Sequence, residues 1–436
     1  MRALTGSRTK TVQLARPPAE TKAHNLSRKV RTVTTPATFG ERVRTLRLAN
    51  NISQADLAAA LSSGTSSANS LISKIENGRQ VPDAPTVDAL AAMLGCTTSF
   101  LERSSPDTLA TPPWLRAYAD APAKIVESIT ADNLLAAEAI DMLQLKRIPD
   151  RIPVFIGDPN DDDAIENYAL EVRVASGVPD GAVVGNAMRA ADRLGCVVLP
   201  LPAELGRHLG MSQRLDGTAY VRVSRAGTAQ GGVPGDRQRF TVAHELGHLG
   251  LHADVGPPKT ADDARRIERQ AHRFAGAFLA PAEPLLEDWS QRGGRVTLTA
   301  LAELKATWGI AIKALVVRFQ QLGIVSSDQA TSLYKQISKR GWNKTEPVPT
   351  TNEEPVWLSK ALAQRAQKEN GSSAIAVASH LTGLSDRHFA RWSDWAPTLA
   401  GAQILTLQPQ DGHRDRPQTE QARVLSFSGR HSARGT

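Results

Sequence analysis

The chain is poor in cysteine: its 436 residues include two, Cys96 and Cys196, a hundred positions apart. Such a pair makes neither a zinc knuckle nor a disulfide framework, and a reducing cytoplasm is the expected setting. Long apolar runs are missing too, since no stretch approaches the roughly 18 residues of a membrane-spanning helix. The first 35 residues lack the apolar stretch of a secretory signal and are nearly without acids. They hold Arg2, Arg8, Lys10, Arg16, Lys22, Arg28, Lys29 and Arg31 against Glu20, which is +7 of the chain's net +8. Rich in Thr, Pro and Ala, they read as a disordered arm, either merely solubilising or able to neutralise DNA phosphates. The remainder is nearly neutral, and with 41% apolar residues it is long enough for two or three domains with real cores.

Against these absences stands one crowded stretch, "FTVAHELGHLGLH" at 240–252. His244 and His248 are four apart, so on an α-helix both imidazoles leave one face a turn apart and converge on one ion. Glu245 flanks them where a reacting water would lie. This HExxH arrangement offers two imidazoles to zinc and a carboxylate that takes a proton from water. The competing reading is an ordinary half-apolar helix with polar spots. His252 lies about 12 Å along the axis from His244, too far to share the ion. With Gly250 it also comes too early for the metzincin pattern. It packs or caps the helix end ahead of Gly256, Pro257 and Pro258. Downstream, "TADDARRIERQAHRFAGAFLAP" (260–281) repeats Ile267, Ala271, Phe274, Ala275, Phe278 and Leu279 at three and four, an amphipathic helix closed by Pro281. Glu268 lies beside that stripe, either as a surface carboxylate or as one turned toward the first helix.

"RFTVAHELGHLGLH" followed by "IERQAHRFAGAFLAP" resembles the ImmA/IrrE metallopeptidases, two separate blocks agreeing in order and spacing. The resemblance implies a zincin-like fold of the gluzincin kind, with His244, His248 and Glu268 as Zn2+ ligands and Glu245 as general base. It also implies a protein substrate, typically a repressor whose cleavage releases transcription. His272 departs from the family pattern, which has Asn or Asp there. It would steady a ligand through one ring nitrogen or compete as a ligand itself.

The stretch "FGERVRTLRLANNISQADLAAAL" reads as an amphipathic helix, a break at Asn50–Asn51, and a helix capped by Ser53 with Gln54 and Asp56 in its first turn. "SSANSLISKIENGRQVP" reads as a third helix ending near Gly78. A plain protein-binding bundle would look much the same. However, "SQADLAAAL" with "ISKIENGRQVPDAPTVDALAAMLG" resembles the XRE/Cro-type helix-turn-helix family. The resemblance makes the third helix the recognition helix, with Ser67, Asn69, Ser70, Ser73 and Lys74 as its exposed polar residues and Ile72 and Ile75 facing the core. Ser53 and Gln54 would meet a phosphate or base edge at a helix N-terminus. Within residues 36–104 six basic residues balance six acids, and "SSGTSS" lengthens the turn before the recognition helix.

The expected organisation is therefore multidomain and α+β. A disordered tail (1–35) precedes an all-α helix-turn-helix module (36–104), then a linker and packing helix (105–160). A zincin-like α+β domain (161–290), a helical segment itself resembling a helix-turn-helix (291–345), a C-terminal helical region (346–408) and a second disordered tail (409–436) follow. The acidic patch "DPNDDDAIENYA" reads as a capped helix start, "AMRAADRLGCVVLPLP" as helix then strand, and "GTAYVRVSRA" as a second strand. That second strand, just ahead of the metal helix, is where an extended peptide would add. Trp357, Trp392 and Trp395 are expected in the core. The functional expectation is a cytoplasmic regulator that binds double-stranded DNA and cleaves a partner protein, with a homodimer left open and no membrane role. The alternative is a transcription factor or antitoxin whose peptidase-like domain senses metal or a partner without catalysis.

Overall fold

Capping chemistry sets out the first helices. Helix α1 (Pro36–Ala49) stops where Asn51 takes a φ of 53° and the Asn50 amide closes on the Leu46 and Leu94 carbonyls at 2.8 and 3.0 Å. Helix α2 (Gln54–Leu61) opens on Ser53, whose hydroxyl accepts the Asp56 N–H at 3.0 Å. Helix α3 (Ala68–Glu76) follows, then α4 (Ala84–Leu94), capped by Asp83 and ended by Gly95 in the left-handed conformation, and the short α5 (Thr98–Leu101). Ile72 and Ile75 are buried, as their spacing suggests, against Val43, Leu46, Leu57 and Leu90. The computed structural model describes residues 36–61, 68–115, 123–201, 210–225 and 233–396. The arms at 1–35 and 409–436, Ser67 and the side chain of Asn69 lie outside the described residues.

After α5 the chain forms a two-residue strand, β1 (Trp114–Leu115), and the long helix α6 (Ala123–Met142). Helix α7 (Asp162–Ala175) begins in the acidic patch, where Asp161 accepts the Asp163 N–H. Helix α8 (Ala187–Arg193), capped by Asn186, leads into β2 (Val197–Pro200). Strands β3 (Gly210–Leu215) and β4 (Thr218–Val223) are joined by Asp216–Gly217, both at positive φ, the residue pair that a tight hairpin favours. The sheet order is β1-β3-β4-β2, with β2 parallel to β4 and the other pairs antiparallel.

One expectation is corrected here. β4, the strand read at 217–226, has a neighbour on each side, so no peptide can add to it. Its outer partner β3 was not legible, because "GMSQRL" does not alternate. It is buried nonetheless, packed against the metal helix on one face.

That helix is α9 (Gly235–Leu251), and α10 (Ala261–Leu279) lies against it. Gly250 permits the crowding: a Cβ there would stand 2.0 Å from the Tyr168 hydroxyl of α7. All six apolar stripe residues of α10 are buried. Helices α11 (Ala282–Gln291), α12 (Leu298–Trp308), α13 (Ile312–Gln321) and α14 (Ser327–Lys339) complete this core. Lys305 and Arg318 are internal, paired with Asp236 and Glu346 and with Glu166.

The last described helices, α15 (Trp357–Lys368), α16 (Ala374–Thr382) and α17 (Asp386–Ser393), share a core with α1–α6 rather than with α9 and α10. Thr97 N–H bonds the Gly383 carbonyl and Ser385 N–H the Gly95 carbonyl, stapling the two segments. Trp392 and Trp395 are buried, but Trp357 is half-buried, its indole N–H reaching the Lys146 carbonyl at the surface. The architecture is thus a helical N-terminal region, a mixed α+β region with a small sheet, and a helical C-terminal region. Among the described residues no helix is long and apolar enough to cross a membrane.

Candidate metal centre

The four-residue spacing on α9 does what helical geometry requires. His244 and His248 leave the same face, and their Nε2 atoms stand 3.0 Å apart. Glu268 comes from the neighbouring α10, its two oxygens 3.4 Å from His244 Nε2 and 3.4 Å from His248 Nε2. Ligand atoms about 2.0–2.1 Å from a tetrahedral ion lie about 3.3 Å from one another; here each imidazole faces its own Glu268 oxygen, and one ligand atom from each of the three residues lies within 4.8 Å of the other two. They form a group that can hold a metal ion. Burial disfavours the charged imidazole and takes His244 well below its usual range. Burial pushes the Glu268 carboxyl up, but the contacts with His244 and His248 outweigh it and hold the group at about 2. Two of the three side chains are therefore in the ligand-ready protonation state at neutral pH.

Glu245 follows His244 on α9 and faces β3. The Ser212 hydroxyl donates to its Oε2 at 2.6 Å. Gly210, at the start of the same strand, lets the carboxylate lie there, because a Cβ would meet Glu245 Oε1 at 2.7 Å and Thr241 Cγ2 at 2.4 Å. His252 occupies the C-terminal cap of α9, as expected, and does not join the metal-holding group. Spacing did not suggest its other contacts. Its Nδ1 lies 3.1 Å from His248 Nδ1, and its Nε2 lies 3.0 Å from the Gln270 carbonyl oxygen. Gln270 in turn donates to Asn160 at 3.1 Å, so a file of polar groups steadies His248 from behind.

His272 lies outside the metal-holding group, with its ring 4.8 Å from that of His244 and 5.4 Å from that of Phe240. Glu268 and His272 also line a cavity of ≈ 570 Å³ with Asn160, Arg266, Arg269 and Arg273. On the opposite side Trp114 lies parallel to His248, centroids 5.4 Å apart and planes within 1°. His244 and Glu245 are each 1% exposed and His248 is 0% exposed.

The residues expected to read DNA are spread over α2 and α3. Ser53 is occupied in its capping contacts with Asp56. The Gln54 amide donates to Glu76 at 2.7 Å, and Glu76 is bound to Arg47, so that side chain is turned inward. Ser73 accepts from the Asn77 amide through its carbonyl at 2.7 Å and is half-buried, while Ser70 and Lys74 are exposed.

Residues 191–320 match the family model of the peptidase M78 group, described as an IrrE N-terminal-like domain. Residues 38–102 match the model of a helix-turn-helix domain. No curated protein and no solved structure matches the chain. A helix-turn-helix segment is thus joined in one chain to an IrrE-like segment, and the latter contains all three metal-holding side chains and Glu245.

Proposed function

We propose that the chain is a DNA-binding transcriptional regulator carrying a zinc-dependent endopeptidase, which cleaves a partner protein, such as a repressor, in the cytoplasm. The observation that carries the reading is the convergence of His244, His248 and Glu268, with ligand atoms within 4.8 Å of one another and Glu245 adjoining. A zinc ion held there would polarise a peptide carbonyl and make water a better acid. Glu245, held by Ser212, is placed to take a proton from water and to return it to the departing amine nitrogen. His252 and Gln270 fix the ring of His248, and His272 packs the ring of His244. Ser70 and Lys74, with Asn69 and Ser67 on the same segment, are the side chains we assign to DNA, and Ser53, Gln54 and Ser73 support the geometry of the module.

Glu245→Gln tests the reading. The variant keeps size and polarity, so bound metal is expected to stay at about one per chain. Turnover of the partner protein is expected to fall by about 100-fold to 10,000-fold. Unchanged turnover would remove Glu245 from the mechanism and with it the peptidase. One observation favours a second reading, a metal or partner sensor without catalysis: Glu245 and both histidines are shut away from solvent.

A further inference from the structure

Glu268 faces a cavity, but the β3 side of the site is closed by the chain itself. β3 is the strand next to the metal helix, and its free edge is where an extended polypeptide would add by backbone hydrogen bonding. That edge is taken. Residues 109–115, between the helix-turn-helix module and α6, lie antiparallel along it, with Trp114 opposite Ser212 and Leu115 opposite Met211. Thr111 pins the register three times. Its N–H donates to the Arg214 carbonyl at 2.9 Å, its hydroxyl accepts the Arg214 N–H at 2.9 Å, and its carbonyl accepts from the Gln213 amide at 2.8 Å. Leu109 adds a bond to the Asp216 carboxylate at 2.9 Å. Opposite Ser212, the residue that holds Glu245, Trp114 lays its indole flat on His248.

The occupant is a weak strand. Pro112 and Pro113 have no N–H to give to the ladder, and the regular pairing is two residues long. A better strand could displace it. The chain just ahead of it is tied to α1 and α6, since Arg42 of α1 donates to the Arg103 and Ser104 carbonyls at 3.2 and 3.0 Å and also pairs with Glu138 of α6.

We propose that residues 109–115 are an internal occupant of the peptide-binding edge of β3, which keeps the metal centre covered until the segment is displaced by an extended polypeptide. The proposal rests on the peptidase reading for its purpose, but not for its test. The probes are the zinc-loaded full chain, a chromogenic chelator, and a labelled peptide of residues 107–115. Thr111→Pro removes two of the three pins at an exposed position, and Trp114→Ala removes the cover while leaving the backbone pairing. Both variants are expected to bind the same amount of zinc as the parent and to lose it to the chelator at least tenfold faster. The peptide is expected to bind Thr111→Pro and not the parent. Equal chelator rates in all three proteins with no difference in peptide binding would overturn the proposal, and so would a parent that takes up the peptide as well as the variant does.

A casein digest separates the two ideas. Faster casein cleavage by both variants, abolished by adding Glu245→Gln, supports both. Fast zinc loss with peptide uptake but no cleavage keeps the occupant and ends the peptidase. Cleavage by the parent at the variants' rate does the reverse.

Discussion

At the scale of single residues, the ligand set was largely legible. Two histidines four apart on one helix face have few other reasons to be together, and Glu245 beside them completes a recognisable pattern. Glu268 was not derivable from spacing, because which carboxylate of α10 turns toward α9 depends on how the helices cross. It is implied by resemblance, and the structure places one of its oxygens 3.4 Å from each ring nitrogen. His252 was only half legible, since the sequence places it at the helix end but does not show the ring of His248 beside it. Because it backs that ligand, His252→Ala is expected to keep metal stoichiometry while weakening affinity by about 10-fold to 100-fold, measured by competition with a calibrated chelator. Gly210 was invisible as a functional position. Gly210→Ala is expected to displace the Glu245 carboxylate and reduce turnover while metal content is retained, read from turnover and elemental analysis of the same sample.

Histidine burial also sets the acid limit. Burial holds His252 at about 3 and His388 at about 4, against about 6.5 in an unfolded chain. A histidine with a lowered folded pKa stays neutral in the native state while the unfolded state gains a proton, so stability is lost as pH falls below about 6.5. For His388 the loss between pH 7 and pH 5 is about 2 kcal/mol. Thermal melts of metal-free protein should show a smaller drop over that interval in His388→Gln than in the parent; an equal drop would remove His388 as a cause.

At the scale of elements, the helices and the strands β2 and β4 carried their own signatures, and β1 and β3 did not. The caps at Ser53, Asp83 and Asp161, the break at Asn50–Asn51 and the stripe on α10 all state local chemistry, and each helix formed where that chemistry pointed. β3 and β1 are strands because of what lies beside them, so no period in "GMSQRL" or "PPWL" could announce them. Helix α3 and its neighbour α2 show the same limit. Periodicity placed Ile72 and Ile75 inside, but the inward turn of Gln54 follows from its partner Glu76 on another helix. Lys74 is left as the exposed cation of α3, and Lys74→Ala should flatten the salt dependence of DNA affinity by about one unit of slope without altering sequence preference. Binding titrations at several salt concentrations measure it. An unchanged slope would take Lys74 off the phosphates.

At the scale of the whole molecule, one buried carboxylate joins three segments. Asp132 of α6 is wholly buried, contacts Arg222 of β4 at 2.9 Å, and also meets Arg391 and the Trp392 indole of α17. Burial alone would raise this carboxyl, but the Arg391 and Arg222 guanidinium groups outweigh it and keep the group ionised. Arg391 continues to the Asn50 side chain at 3.1 Å, so the helix-turn-helix module and the sheet are linked through one charge. Removing the sole partner of a buried charge typically costs about 3–5 kcal/mol, and less here because Arg222 stays on Asp132. Arg391→Met should therefore lower the denaturant midpoint of the helix-turn-helix module and the sheet together, read by probes in each. Separate transitions would show that Asp132 does not join them.

Arg391 follows Asp132 by 259 positions. A chain leaving the ribosome presents α6 long before the cation that completes its burial, and the apolar faces of α1–α5 wait equally long for α15–α17. The helix-turn-helix module, made well before α17, would be among the last of these parts to reach its native state. A nascent chain released before α17 emerges should offer neither a finished module to DNA nor a settled sheet to α9, so that only copies carrying α17 would act as regulators.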